Sequence, residues 1–257
     1  MGQRHLDMTN GPFYTRRFSL FFRGLRRDRR GSGGPPPGVS PVRALFAAGA
    51  LAMAACSPAI AAESTFEAPA AQRTAKEGRG LKTAIFAGGC FWGVEAVFSH
   101  TKGVTSAVSG YHGGTAATAH YDMVSAGGTD HAEAVRVTYD PAVVRYDQLL
   151  RVLFSVVADP TLKNRQGPDS GTQYRAAIFP LNAEQRQVAA AYLGQMRSSG
   201  VWDRPIVVEV ETASRFYVAE EYHQDYYANN PNAGYCQIVI NPKIENLRSK
   251  FSNKLKD

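Results

Sequence analysis

A strand, a sharp turn and a helix in close succession constrain the fold of this chain more than any other feature. Thr83–Phe86 is typical of a buried strand, and the apolar residues of Phe91–Ser99 predict the helix that follows. Gly88 and Gly89 permit the tight backbone turn between them. The pattern places Cys90 at the N-terminus of the helix, where free N–H groups and the helix dipole favour a thiolate.

Two aromatic residues, Phe91 and Trp92, follow this cysteine directly. A nucleophilic sulfur beside flat apolar rings suits an apolar and polarisable substrate group. The alternative is a structural thiol, because free cysteines are often buried. The position of Cys90 after two glycines favours the reactive interpretation.

The formal charge of +7 is concentrated at the N-terminus. Residues 1–43 hold nine arginines and two aspartates, so the remaining chain carries no net charge. A nucleic-acid-binding protein would be expected to carry a basic surface on its folded part. We therefore expect no nucleic acid among the partners.

The basic segment is typical of a targeting leader. It is followed by the apolar run Ala44–Ala55 and by small residues, so residues 1–62 resemble a basic region, an apolar region and a cleavage site. The apolar run is too short to span a bilayer. Cleavage at Ala59-Ile60-Ala61 gives an exported, periplasmic protein, whereas lipidation at Cys56 gives a membrane-anchored one. If the leader is a misassigned translation start, the protein is cytoplasmic.

The rest of the chain reads as a linker and one folded domain. Residues 63–80 are polar, rich in alanine and without a sustained apolar period, which indicates a linker before a domain over residues 81–257. The order strand, helix, strand, strand, helix, strand predicts an α/β two-layer sandwich (α+β), with a ferredoxin-like split βαβ core, a mixed sheet and a loop-rich C-terminal segment. The predicted strands are Thr83–Phe86, Val104–Tyr111, Ala134–Tyr139, Arg175–Phe179 and Ile206–Val210, and the predicted helices are Phe91–Ser99, Tyr146–Val157, Ala183–Arg197, Ala219–Tyr227 and Ile244–Leu255.

Further motifs follow in a consistent order along the domain. They are Ala119-His120-Tyr121-Asp122, His131-Ala132-Glu133-Ala134-Val135, Gly167-Pro168-Asp169, Gly171-Thr172-Gln173-Tyr174-Arg175 and Gly234-Tyr235-Cys236. Together with Gly89-Cys90-Phe91-Trp92 they resemble the A-type peptide methionine sulfoxide reductases, which act on the S epimer of the sulfoxide. The resemblance covers about residues 83–236. It implies an α/β sandwich and an oxidoreductase that repairs oxidised methionine, free or in proteins, without a metal or other cofactor.

Sulfoxide reduction needs a soft nucleophile for sulfur and an acid for oxygen. Cys90 supplies the nucleophile, and Glu133, if buried, has a raised pKa and donates a proton. The phenols of Tyr121 and Tyr174 can donate hydrogen bonds to the sulfoxide oxygen. Phe91 and Trp92 are expected to bind the methyl group of the substrate. The resemblance adds Asp169, which is expected to orient water or a tyrosine.

The product of oxygen transfer is a sulfenic acid on Cys90, which a second thiol must resolve. Cys236 is the candidate, since it follows Gly234 in a segment that reads as flexible. We expect a Cys90–Cys236 disulfide that a thioredoxin-like protein reduces, in an enzyme that acts as a monomer. A permanent disulfide between the two cysteines is the alternative in an exported protein.

Two positions depart from the family pattern. Asp130 stands where relatives usually have glycine, and Ala158 stands where many have histidine before Asp159-Pro160. The first adds a carboxylate near the expected site. The second removes a polar group that can brace the following turn.

Other functions remain open on the residues alone. A thiol acyl-transferase or protease would pair Cys90 with a histidine base such as His131 or His223. A peptide-binding module would use the same aromatic residues without chemistry. Glu133 can also be a surface carboxylate, and the two tyrosines can be ordinary core residues.

Overall fold

The computed structural model describes residues 66–256, so the predicted leader and Cys56 lie outside the described residues. Eight strands form within this range: β1 (Lys82–Gly88), β2 (Val104–His112), β3 (Ala132–Tyr139), β4 (Arg165–Gln166), β5 (Asp169–Ser170), β6 (Ala176–Phe179), β7 (Glu209–Val210) and β8 (Phe216–Val218). The α-helices of the same range are α1 (Phe91–Ser99), α2 (Tyr121–Ala126), α3 (Tyr146–Val152), α4 (Ala183–Ser198), α5 (Tyr226–Asn229) and α6 (Asn241–Lys250).

One mixed sheet organises the molecule. Its strand order is β7-β6-β1-β3-β2-β8, with β6 and β7 parallel and all other neighbours antiparallel. The register pairs Phe86 with Val135 and Tyr111 with Glu133. Because β1 and β2 run antiparallel to β3, their C-terminal ends lie at the same sheet edge as the N-terminal end of β3. The N-terminus of β6 joins them there through the pair Gly88 and Ala176.

Helices cover one face of this sheet and enclose the main core. Helix α1 packs on β2 and β3, and α3 packs on α4. The ring of Phe86 on β1 stacks on Phe98 of α1 at 5.3 Å and on Tyr146 of α3 at 5.7 Å. Burying an aromatic side chain of this size contributes about 1.5–3 kcal/mol. The predicted α/β sandwich is confirmed.

The other face of the sheet carries a smaller apolar cluster, formed by residues of β1, β3 and β6. Small residues such as Ala87 and Ala134 are fully buried there, and Phe216 packs against the cluster. Gly110 of β2 makes this approach possible, since a Cβ atom on it would lie 2.4 Å from Cζ of Phe216. Arg136 lies over the same ring, 5.0 Å from its centre. Sequence reasoning did not predict β8.

The segment predicted as a linker lies on the surface of the domain. Residues 66–80 contain no helix or strand, as expected, but Ala68 is fully buried and Ala75 is 7% exposed. The N–H of Ala68 donates to Ser155 Oγ at 2.9 Å, and the N–H of Ala75 donates to Asp147 at 2.9 Å. The small side chains let the backbone lie close enough to form these bonds, so this part is a strap on the body. Residues 63–65 lie outside the described residues.

Several predicted elements differ from the observed ones in extent. The helix predicted over Tyr146–Val157 changes to a π-helical turn at Leu153–Val157. The strand predicted over Ile206–Val210 is reduced to Glu209–Val210, after Pro205. The helix predicted over Ala219–Tyr227 is a 3₁₀ turn at Glu221–His223 followed by α5. None of the helices between residues 66 and 256 is long and apolar enough to cross a bilayer.

Candidate active site

The turn between β1 and α1 places Cys90 at the sheet edge where four strand ends meet. Gly89 has a φ of +92°, a conformation that costs glycine little. A Cβ atom there would lie 2.7 Å from Cβ of Gln166, and one at Gly88 would lie 2.9 Å from Val157. Two glycines are therefore needed for the turn to pack this closely. Cys90 itself is partly buried, and its carbonyl accepts from the N–H of Gly93 at 3.2 Å.

Glu133, at the start of β3, points into the same space. It is 1% exposed, and its Oε2 atom accepts from the N–H of Phe91 at 2.9 Å. Burial raises the pKa of this carboxyl to about 8, while the Phe91 N–H lowers it and the charge of Asp169 raises it. At neutral pH the carboxyl therefore holds its proton, as a general acid must.

The sequence predicted that the helix N-terminus favours a Cys90 thiolate, but the surroundings of the side chain favour the protonated thiol. Burial raises the pKa of the Cys90 thiol well above its usual range, and the charge of Glu133 adds to this effect. The neighbouring Trp92 N–H and Tyr235 hydroxyl lower the pKa but do not offset burial. The helix N-terminus alone does not ionise the thiol, because desolvation dominates.

The two predicted tyrosines lie around this pair. Tyr121 is the first residue of α2, and Tyr174 ends a 3₁₀ turn at Thr172–Tyr174. The pKa of each phenol is raised, first by burial and then by the charges of Glu133 and Cys90. Within residues 66–256 neither hydroxyl has a hydrogen-bond partner. Both are therefore protonated donors available to an incoming oxygen.

Asp169 orients a tyrosine that sequence reasoning did not select. The hydroxyl of Tyr235 donates to Oδ2 of Asp169 at 2.6 Å and lies beside the sulfur of Cys90. Burial raises the pKa of Asp169, whereas Tyr235 and the positive charge of Lys243 lower it. The available signal was local, because Tyr235 directly precedes Cys236 in the sequence.

The aromatic wall beside Cys90 is larger than the predicted Phe91 and Trp92. The indole of Trp92 stacks on Tyr226 with ring centres 3.6 Å apart, and its Nε1–H donates to Nδ1 of His223 at 3.0 Å. Phe91 is fully buried and lies against His223 and Tyr111. The contact of Phe91 with the methyl group of the substrate stays a prediction, since its ring is buried here, whereas Trp92 keeps partial exposure.

Cys236 does not lie in a flexible segment. It is fully buried at the start of a π-helical turn, Cys236–Ile240, that leads into α6. Burial raises the pKa of its thiol. Both Cys90 and Cys236 are free thiols in the structure. The sequence suggested a loop here because Gly234 and the preceding Asn-Pro-Asn residues favour turns.

The two positions that depart from the family pattern have local explanations. Asp130 has a φ of +59°, a left-handed conformation that favours glycine. After Ala158, the side chain of Gln166 braces the turn by bonding both the N–H and the carbonyl of Asp159, each at 2.9 Å. The polar group that a histidine would provide is thus not needed for this turn.

The histidines that a cysteine acyl-transferase would require have other partners. His131 accepts from the N–H of Gly114 and faces the carbonyl of Thr115, and His223 accepts from Trp92. The pKa of each is lowered by burial. No group of three His, Cys, Asp or Glu side chains that could hold a metal ion occurs in the part of the chain that the structure describes.

Residues 82–255 match the family model described as peptide methionine sulfoxide reductase. Peptide methionine sulfoxide reductase MsrA 2 of Synechocystis sp. is 51% identical to the chain over 178 residues, which are 69% of this chain and 83% of the relative. Peptide methionine sulfoxide reductase MsrA of Deinococcus radiodurans is 52% identical over 179 residues, 70% of this chain and 86% of the relative.

Solved structures give the same result for the fold. The reduced form of Mxr1 from Saccharomyces cerevisiae aligns with a TM-score of 0.56 and 32% identity, covering 64% of this chain and 94% of that one. Methionine sulfoxide reductase A of Corynebacterium diphtheriae aligns with a TM-score of 0.52 and 34% identity, covering 62% and 79%. The mixed sheet and its helices therefore match the architecture of these enzymes.

Proposed function

The chain belongs to the peptide methionine sulfoxide reductase family and reduces methionine S-sulfoxide to methionine, and we propose that Cys90 takes the oxygen while Glu133 supplies the proton. The observation that carries this assignment is the buried carboxyl of Glu133, with a pKa of about 8, bonded to the first N–H of the helix that follows Cys90. A protonated acid and a nucleophilic sulfur thus face the same space.

In the proposed oxygen transfer, Glu133 gives a proton to the sulfoxide oxygen and regains one from the Cys90 thiol. Cys90 attacks the sulfoxide sulfur and forms a transient S–S bond while Glu133 protonates the oxygen. The oxygen then moves to the Cys90 sulfur, and the substrate S–O bond and the transient S–S bond both break as methionine leaves. The thiol proton of Cys90 returns Glu133 to its acid form. One sulfoxide and one thiol thereby give one thioether and one sulfenic acid, with no other co-reactant. This order explains why a resting thiol is compatible with the reaction.

The hydroxyls of Tyr121 and Tyr174 stabilise the oxygen as its negative charge develops. Each is a protonated donor without a partner among residues 66–256. Preorganised donors of this kind are worth more as charge increases during the reaction. Trp92, held by Tyr226 and His223, provides the flat surface for the methyl group.

The sulfenic acid is then resolved by Cys236, which forms a disulfide with Cys90 and releases water. Cys236 is buried, so the turn Cys236–Ile240 must open for the two sulfurs to meet. A thioredoxin-like dithiol reduces the disulfide. The support for Cys236 is that its neighbour Tyr235 contacts the Cys90 sulfur.

The proposed location is outside the cytoplasm. The basic leader and the apolar run Ala44–Ala55 support export, with either signal cleavage or lipidation at Cys56. An exported enzyme needs a reducing dithiol in an oxidising compartment. Cell fractionation with a mass measurement of the mature N-terminus tests this proposal, and a cytoplasmic protein that retains Met1 would contradict it.

The activity is tested with the full chain, dithiothreitol and the separated R and S epimers of a methionine sulfoxide peptide. We expect consumption of the S epimer only, and none by Cys90→Ser. Intact mass measured in a parallel reaction without dithiothreitol should show loss of two hydrogen atoms from the protein as the disulfide forms. Activity of Cys90→Ser, or use of the R epimer at the same rate, would refute the proposal.

A further inference from the structure

A lysine on the C-terminal helix is buried beneath the site. Lys243, the third residue of α6, is only 4% exposed. Removing an ammonium group from water is unfavourable unless nearby polar or charged groups compensate. The polar and charged groups around the ammonium of Lys243 must therefore compensate for its removal from water.

The side chain of Lys243 runs along the helix that begins after Cys90. A Cβ atom on Gly93 would lie 3.7 Å from its Cδ and 3.8 Å from its Cε. Its Nζ atom donates to the carbonyl of Val157 at 2.7 Å. Val157 ends the π-helical turn that also packs against the glycine turn before Cys90. The ammonium is thus held by backbone beside the site.

The charge of Lys243 acts on Asp169, whose carboxylate accepts from Tyr235 at 2.6 Å. Tyr235 in turn lies beside the sulfur of Cys90, with its ring edge-on to that of Trp92. A carboxylate accepts such a bond more strongly than a neutral carboxyl group does. The direction of the Tyr235 hydroxyl therefore depends on whether Asp169 is ionised.

We propose that Lys243 is a positioning residue for sulfoxide reduction, whose buried ammonium keeps Asp169 as the carboxylate that anchors Tyr235 beside the sulfur of Cys90. This inference rests on the proposed role of Cys90. Lys243 itself touches no reacting atom and acts through Asp169.

The titratable groups near Asp169 set the expected pH dependence. Lys243 on α6 and Tyr235, which precedes Cys236, act on the pKa of Asp169. The negative charge of Asp169 in turn raises the pKa of four neighbouring groups, which are Cys90, Glu133, Tyr121 and Tyr174. Burial and Lys243 act in opposite directions on the pKa of Asp169. Without the ammonium the pKa of Asp169 rises, so activity that needs its carboxylate is lost at a higher pH than in the wild type.

The test is the single-turnover rate of S-sulfoxide reduction by the full chain between pH 5 and 9, in the wild type and in Lys243→Met. We expect the acid limb of the variant to lie at a higher pH than that of the wild type, so the loss of rate relative to the wild type is largest at pH 5 and disappears toward the alkaline end of the range. Lys243→Gln, which can still donate to Val157, should show the same shift because it also lacks the charge. It also serves as the test if Lys243→Met fails to fold.

Lys250→Met is the matched control. Lys250 is on the same helix and its Nζ also donates to backbone carbonyls, those of Phe66 and Ser155. We expect its pH profile to match that of the wild type. In an Asp169→Asn background, Lys243→Met should have no further effect on the profile, since its route to Cys90 has been removed.

The proposal is overturned by an equal loss of rate at every pH, by the same shift in Lys250→Met, or by additive effects of Lys243→Met and Asp169→Asn. Each of these results leaves the activity itself standing, provided that the wild type reduces the S epimer and Cys90→Ser does not. Failure of that last comparison would refute the proposed function instead.

Discussion

Burial of Glu133 raises the pKa of its carboxyl, and the proposed proton transfer depends on this effect. Replacing it with glutamine keeps an acceptor for the Phe91 N–H but removes the transferable proton. We expect Glu133→Gln to slow single-turnover sulfoxide reduction about 100-fold or more. The wild-type rate should fall as pH rises through about 8, where the pKa of Glu133 lies and its proton is lost. The variant should lack this alkaline limb.

Rapid-quench measurement of methionine formation between pH 6 and 9 checks both expectations. Glu245→Gln on the exposed side of α6 is the control and should keep the wild-type rate and profile. A Glu133→Gln variant with near-normal rates would remove Glu133 from the acid role.

Glu95 is a second buried carboxyl, and it affects stability. It is 2% exposed on α1, and its Oε2 atom accepts from the N–H of Asp225, which has a left-handed φ of +50°. Burial raises the pKa of Glu95 from 4.5 to about 7, while the Asp225 N–H lowers it. An acid whose pKa is raised on folding stabilises the protein most at low pH, and this stability is lost as pH rises through about 7.

We therefore expect Glu95→Gln to weaken the pH dependence of the free energy of unfolding. Between pH 5 and 8 the wild type should lose about 2 kcal/mol more than the variant. Urea unfolding at both pH values measures this difference. Glu133 contributes a loss of the same sign to both proteins, so it cancels in the comparison. Parallel losses in the two proteins would show that Glu95 is not the source.

At the scale of residues, sequence motifs identified the proposed nucleophile and acid but not the side chains that hydrogen bond or pack around them. Cys90 and Glu133 lie together as the motifs implied, because each follows or begins a strand at the same sheet edge. Tyr235 was missed although it directly precedes Cys236, because its hydrogen bond to Asp169 joins residues more than sixty positions apart in the sequence. The effect of Lys243 on Asp169 acts over a similar separation, and no local pattern encodes either interaction.

The π-helical turn at Cys236–Ile240 is the element whose behaviour matters most for turnover. It buries Cys236 in the reduced protein, so the thiol that resolves the sulfenic acid is protected until the turn opens. We expect Cys236→Ser to release one methionine per chain and then stall when a thioredoxin-like protein is the only reductant. Quantified methionine and an added oxygen atom in the intact mass would show the trapped Cys90 sulfenic acid.

Two comparisons separate this result from a damaged protein. The amplitude of the first turnover in Cys236→Ser should equal that of the wild type, and a small thiol such as dithiothreitol should restore some multiple turnover. Steady turnover of the variant with the thioredoxin-like protein alone would end the resolving role of Cys236.

At the scale of elements, regular apolar patterns were more informative than turns. Strand β1, helix α1 and helix α4 have nearly the predicted bounds, since each combines a clear apolar period with a glycine turn or a capping residue; Asn182 accepts from Gln185 at the start of α4. Helix α2 and strand β8 were missed because they are short and their positions depend on tertiary contacts. The Gly110–Phe216 approach is such a contact.

For the molecule as a whole, the antiparallel pairing of β1, β2, β3 and β6 explains why distant motifs form one site. Strands β1, β2, β3 and β6 present the functional residues or their neighbours at a single edge. This topology followed from the order of predicted elements, and the fold class was therefore predictable. The packing of residues 66–80 was not, because an alanine-rich segment without an apolar period looks the same whether it is free in solvent or bound to a surface.

The strap is expected to stabilise the whole domain through Glu77. Its carboxylate accepts from the hydroxyl of Tyr139 and, at 3.0 Å, from the N–H of Tyr146, both of which belong to buried residues. Glu77→Ala leaves these donors without their partner, which costs about 1–3 kcal/mol. Glu67→Ala on the same strap removes only an exposed ion pair with Arg151 and should cost less than about 1 kcal/mol. Urea unfolding of the two variants at pH 7 compares them directly, and equal midpoints would mean that the strap lies on the domain without supporting it.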